Sequence, residues 1–89
     1  MPDKEETKAM IVKAFTDLVE RLNSDYTILK NINVYGMSVD STDLLSLGLF
    51  KKGTLKTYIC VKNDSVEILY QRISKLVLSV VQEVTHEVI

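Results

Sequence analysis

From Val66 to Ile89 the chain runs 24 residues without a glycine or a proline. No other segment constrains the fold so strongly. On a wheel of 100° per residue, Val66, Leu69, Tyr70, Ile73, Leu76, Val77, Val80, Val81, Val84 and Val88 fall in one broad arc. Gln71, Arg72, Lys75, Ser79, Gln82 and His86 lie opposite, with Ile68, Leu78 and Ile89 set among them. Asp64 and Glu67 have capping-box spacing after a turn at Asn63. The spacing predicts an amphipathic helix about 36 Å long at ~1.5 Å per residue. A helix with so much aliphatic surface needs an apolar partner, either in its own chain or in another.

The rest of the chain must supply much of that partner within 89 residues, which predicts one small domain spanning residues 1–89. A domain this size buries only ~60–65% of its unfolded surface. Hydrophobic residues at 46% and charged residues at 26% fit a globular chain rather than a disordered one. A net charge of −1 gives no global attraction to nucleic acid or to an anionic membrane. Uninterrupted apolar runs reach only three or four residues, too short to span a bilayer. The acidic opening Asp3-Lys4-Glu5-Glu6 is unlike a secretory signal, and Cys60 is the single cysteine. An intracellular, cytoplasmic protein is expected, with Asn63-Asp64-Ser65 a turn rather than a glycosylation site.

Before the long helix the pattern changes twice. Asp3 and Glu6 predict a capped first helix, with Ile11, Ala14, Phe15, Leu18 and Leu22 on its apolar side and Asp17 placed to pair with Arg21. Asn23-Ser24-Asp25 ends it, Asn being able to take a left-handed cap. A two-residue period follows. Tyr26 to about Met37 sets Ile28, Ile32 and Val34 against Leu29 and Tyr35. After the polar turn Val39–Asp43, Leu45, Leu47 and Leu49 alternate with Ser46, Gly48 and Phe50. Ser41 to Leu47, followed by Gly48, also reads as a short capped helix. Lys51-Lys52-Gly53 makes a hairpin turn, and Thr54–Lys62 is the clearest strand. There Leu55, Thr57, Ile59 and Val61 share one face and Lys56, Tyr58, Cys60 and Lys62 the other. The expected fold is α+β, in the order αβββα: a three-stranded antiparallel sheet with two helices packed on one face. Two helices cover one sheet face, so the other is left open around Phe50, Tyr58 and Cys60.

The inventory for chemistry is short. One histidine, His86, falls near the middle of the polar arc of the last helix, and Cys60 lies on a strand. A Cys–His nucleophile needs the two in hydrogen-bond reach and a third group to orient them, and the spacing promises neither. One His and one Cys cannot close a four-ligand zinc site. Asp40 and Asp43 lack the glycine and terminal glutamate of a calcium loop and read as a solvated turn. Gly36, Gly48 and Gly53 are too scattered to cradle a phosphate. The expectation is a protein that is not an enzyme and holds no cofactor or metal. Asp40-Ser41 ahead of an apolar stretch faintly resembles the attachment site of acyl carrier proteins, but the strand Thr54–Lys62 contradicts their all-helical fold.

Lysine placement is the remaining signal. Lys51, Lys52, Lys56 and Lys62 occupy a segment without an acid, whereas six of the twelve acids lie in the first 25 residues. With Tyr58 between them, these lysines form a candidate nucleic-acid surface, phosphates held by charge and a base stacked on the ring. The αβββα order is similar to that of double-stranded-RNA-binding domains and of the small Alu-domain subunits of the signal recognition particle, which would imply RNA binding. The last helix, however, opens Ser65-Val66-Glu67-Ile68 where the first of these carries a lysine cluster. Lysines on a hairpin equally protect a sheet edge. The leading expectation is a non-enzymatic protein–protein interaction module (an adaptor, a chaperone-like protein or a phage- or plasmid-type regulator), pairing as a homodimer. Its contacts would be Phe50, Tyr58 and Cys60 on the open sheet face, or Leu78, Val81 and Ile89 on the last helix. The alternative is a nucleic-acid-binding domain using the hairpin 51–62.

Overall fold

The computed structural model describes residues 3–32 and 44–88. Their order is α1 (Lys4–Leu22), β1 (Tyr26–Lys30), β2 (Leu44–Lys51), β3 (Thr54–Lys62) and α2 (Val66–Val88). The three strands form an antiparallel sheet in the order β1-β2-β3. The α+β class and the αβββα order are therefore those expected from the sequence. Val34, Tyr35, Met37, the turn from Val39 and the Asp40–Asp43 cluster lie outside the described residues, as does Ile89.

Asp3 caps α1, its Oδ1 accepting the Glu6 amide at 2.8 Å. The far end departs from expectation. Asn23 is extended (φ −164°, ψ 123°) rather than left-handed. It closes the helix with its own N–H on the Val19 carbonyl, while its side-chain oxygen takes the Asp25 amide at 2.9 Å. That local turn replaces the left-handed cap and sends the chain straight into β1. Asp17 pairs with Lys13 at 3.0 Å, one turn before it, instead of with Arg21. Leu18 and Ala14 belong to the expected apolar stripe but are exposed, because the buried line on α1 runs through Lys8, Val12 and Val19.

Over Leu44–Leu47 the chain is strand, so the helical alternative fails for those residues. Packing decides this. Leu47 and Leu49, two apart, are both buried in the core, which a helix would not place on one side. The β2–β3 connection is a two-residue turn, Lys51 facing Thr54, with positive φ at Lys52 (52°) and Gly53 (80°). Both left-handed positions suit the twist of the flanking strands. The Lys52 amide also reaches the Asp25 carbonyl at 2.7 Å, joining the turn to the start of β1.

β3 contains a bulge. Leu49 faces Thr57 and Phe50 faces Leu55, so Lys56 has no opposite number. The extra residue shifts the alternation, and Leu55 leaves the inner set for the face that carries Phe50. Leu55 is accordingly 39% exposed instead of buried. On the inner side, Ile28, Leu47, Leu49 and Val61 join Val12 and Val19 of α1 and Leu69, Ile73, Val77 and Val80 of α2 in one core cluster. The residue before α2 is Ser65, whose carbonyl accepts the Leu69 amide at 3.1 Å, so Asp64 sits in the turn and not at the cap.

Two features of the packing have little trace in the sequence pattern. Lys8 is 4% exposed, its Nζ donating to Asn63 Oδ1 at 3.0 Å and thereby holding α1 against the β3–α2 turn. Tyr26, 1% exposed, donates its hydroxyl to Glu83 of α2. Lys51 lies 5.2 Å from the centre of the same ring and pairs with Glu87 at 3.0 Å. Burial, reinforced by the Glu83 carboxylate, holds the Tyr26 hydroxyl above the usual tyrosine range.

Candidate functional site

The face opposite the core is built from four cross-strand rows. Thr27, Phe50 and Leu55 form one, Leu29, Gly48 and Tyr58 the next, and Ser46 with Cys60 a third. None of these residues is charged; a fourth row, Leu44 with Lys62, brings one lysine to the far end of the face. Leu29 is 48% exposed and Tyr58 46%, whereas Phe50 and Cys60 are half-buried.

Gly48 explains the shape of this face. A Cβ there would lie 2.7 Å from Ile32 Cδ1, 2.8 Å from Phe50 Cε2 and 3.0 Å from Leu55 Cδ1. Three side chains therefore fold inward over the glycine, and they do so only because it has no side chain. Ile32 is brought there by two bonds. The Asn31 amide donates to the Ser46 carbonyl at 2.8 Å, and the Ser46 hydroxyl donates to the Ile32 carbonyl at 3.0 Å. Asn31 makes the turn at φ 58°, a conformation that asparagine tolerates. The result is an apolar patch with Ile32, Phe50 and Leu55 at its centre and Leu29 and Tyr58 on either side.

Of the residues singled out for partner binding, Phe50, Tyr58 and Cys60 share this face. Leu78 (54% exposed) and Val81 (36%) lie elsewhere, on the solvent side of α2, next to the polar residues Ser79 and Gln82. Ile89 is outside the described residues. The structure thus brings together the sheet set but does not join the helix set to it. Leu55 is the member that strand alternation misplaced, and only the bulge reveals it.

The lysines of the hairpin divide in two. Lys51 is engaged by Glu87 and the Tyr26 ring, and Lys52 lies 3.8 Å from the Asp25 carboxylate. Lys56 and Lys62 take part in no ion pair among the described residues. Half of the candidate phosphate-binding charge is already opposed by carboxylates.

Burial pushes the Cys60 thiol above its ordinary range, with the nearby Arg72 pulling it the other way. A thiol raised in this way carries little thiolate at neutral pH. His86 is exposed near the end of α2. Among the described residues no group of three or more His, Cys, Asp and Glu is placed to hold a metal ion. No described helix is long and apolar enough to cross a membrane. Comparison with protein-family models, with curated proteins and with solved structures gives no match.

Proposed function

We propose that this chain is a non-enzymatic protein–protein interaction module that pairs with a second copy of itself through the open sheet face. The observation that carries the reading is the uncharged patch of Leu29, Ile32, Phe50, Leu55 and Tyr58 gathered over Gly48. Self-pairing of such a patch brings no like charges together, so an isologous two-fold contact costs little electrostatically.

The small area makes a transient contact the expectation. Strands of five, eight and nine residues, at ~3.3 Å rise and ~4.8 Å spacing, give a face of roughly 350 Å² in projection. A stable interface takes ~800 Å² from each partner, so this face supports a transient pair with a Kd in the micromolar range. Leu29 and Tyr58, the most exposed side chains of the patch, have the most apolar area to lose from water.

Sedimentation velocity across ~5–500 µM protein tests this, a range that brackets a micromolar Kd. The wild type should shift from monomer to dimer. Tyr58→Asp should remain monomeric while keeping its fold, since Tyr58 is exposed. A wild type that stays monomeric throughout, or a Tyr58→Asp variant that dimerises equally well, overturns the reading.

A further inference from the structure

A second surface lies at the other side of β3. Because β3 is last in the sheet order, its outer edge has no strand partner among the described residues. Between that edge and α2 runs a groove of about 610 Å³, lined by Ile59 of β3 and by Ile68, Arg72, Lys75 and Leu76 of α2. It continues past Ile68 and Arg72 into a second hollow of about 500 Å³ at Lys62 and Asp64. The floor is apolar and the rim is basic. Among the described residues, Lys62, Arg72 and Lys75 belong to none of the ion pairs, and Asp64 is the one acid lining the two hollows.

We infer that this groove receives an extended acidic peptide, which adds to β3 as a fourth strand. Three features point to that occupant together. An unpaired strand edge offers amides and carbonyls at the spacing another strand requires. Ile59, Ile68 and Leu76 give the alternate side chains of such a strand an apolar floor. Arg72 and Lys75, one turn apart on α2, stand where acidic side chains of the peptide would meet them. From Ile68 to Ser79 α2 rises ~16 Å at ~1.5 Å per residue. That length matches about five residues of extended chain at ~3.3 Å each.

Charge argues against the two other occupants. A second copy joined through the same edge would set the basic rim of one groove beside that of the other, and like charges in contact disfavour the pairing. A single-stranded nucleic acid would satisfy the charges, but among the described residues no aromatic ring lines either hollow for a base to stack on. Tyr58 lies on the open sheet face instead.

The test uses a fluorescein-labelled peptide of alternating glutamate and valine, a matching peptide of lysine and valine, and an oligothymidylate of similar length. Anisotropy at ~50 mM salt should show saturable binding of the acidic peptide at tens of micromolar, weakening at ~200 mM as the charges are screened. Arg72→Glu combined with Lys75→Glu should weaken it at least ~10-fold, or ~1.4 kcal/mol. Both side chains are exposed, so the fold is retained, which circular dichroism verifies. Amide shifts confined to Thr57–Val61 and to the facing side of α2 complete the expected result. Absence of saturable binding, equal binding by the double variant, or tighter binding of the oligothymidylate each overturns the proposal. So does formation of a dimer that the double variant abolishes. Tyr58→Asp, which removes the sheet-face contact, should bind the acidic peptide normally, so failure of one surface is distinguishable from failure of the other.

Discussion

Replacing Tyr26 with Phe removes one hydroxyl and leaves the ring in place. The ring is 1% exposed and Lys51 stays beside it, so no cavity forms and the apolar contribution is unchanged. What is lost is a hydrogen bond to the Glu83 carboxylate, and bonds to charged groups contribute ~1.5–3 kcal/mol. Glu83 is exposed, so water solvates the abandoned carboxylate and the cost falls to the lower end, about 1–1.5 kcal/mol. In a domain of this size that corresponds to a fall in Tm of roughly 4–12 °C. Urea unfolding of wild type, Tyr26→Phe, Glu83→Ala and the double variant measures the coupling, expected to be at least ~0.5 kcal/mol. A pH series adds a signature. The folded state holds the Tyr26 hydroxyl protonated beyond the usual range, so its stabilisation is complete below ~10, the unfolded value, and is lost as pH rises through the higher folded value. The gap between wild type and Tyr26→Phe should therefore narrow above pH ~10. Additive single variants, or a gap that does not change with pH, would refute the assignment of stability to this bond.

Three further outcomes follow from the packing. Leu69→Ala empties a site that is 0% exposed and should cost ~2–5 kcal/mol in urea unfolding, with the slope unchanged. Lys52→Asn puts a residue that tolerates positive φ at 52° and forgoes only the weak Asp25 pair, so the midpoint should rise by an amount equivalent to ~0.5 kcal/mol. Leu55→Ser should cost no more than ~1 kcal/mol in urea unfolding, because the bulge has moved Leu55 out of the core; a loss of ~3 kcal/mol would return it there.

Periodicity carried most of the fold. The uninterrupted stripe of α2 and the alternation of Thr54–Lys62 gave both elements to within a residue, since each is governed by which side chains leave water. What stayed hidden depends on contacts between distant segments. Nothing near Lys8 announces Asn63, 55 residues away, and nothing near Tyr26 announces Glu83. The bulge was equally invisible, because Thr54–Lys62 alternates in sequence whether or not one residue is skipped in pairing. It surfaces only against the fixed positions of Leu49 and Phe50 on the neighbouring strand. Phe50, Tyr58 and Cys60 were therefore legible as one face, whereas Leu55 and Ile32 were not. Tyr70, in the apolar arc of α2 yet 54% exposed, is a milder case: it stands edge-on to Phe15 at 5.6 Å.

The skipped residue at Lys56 also bears on how concentrated solutions of this protein behave. An edge strand of nine residues would otherwise be a continuous template on which copy after copy could stack. The bulge interrupts the hydrogen-bonding row near its first third and twists that end away, with a lysine at the break. Growth of a fibre requires the same straight edge on every added copy, so the interruption limits any addition to the short stretch beyond Lys56. One surplus residue thus leaves the edge open to a single short guest while making it a poor seed for an unlimited assembly.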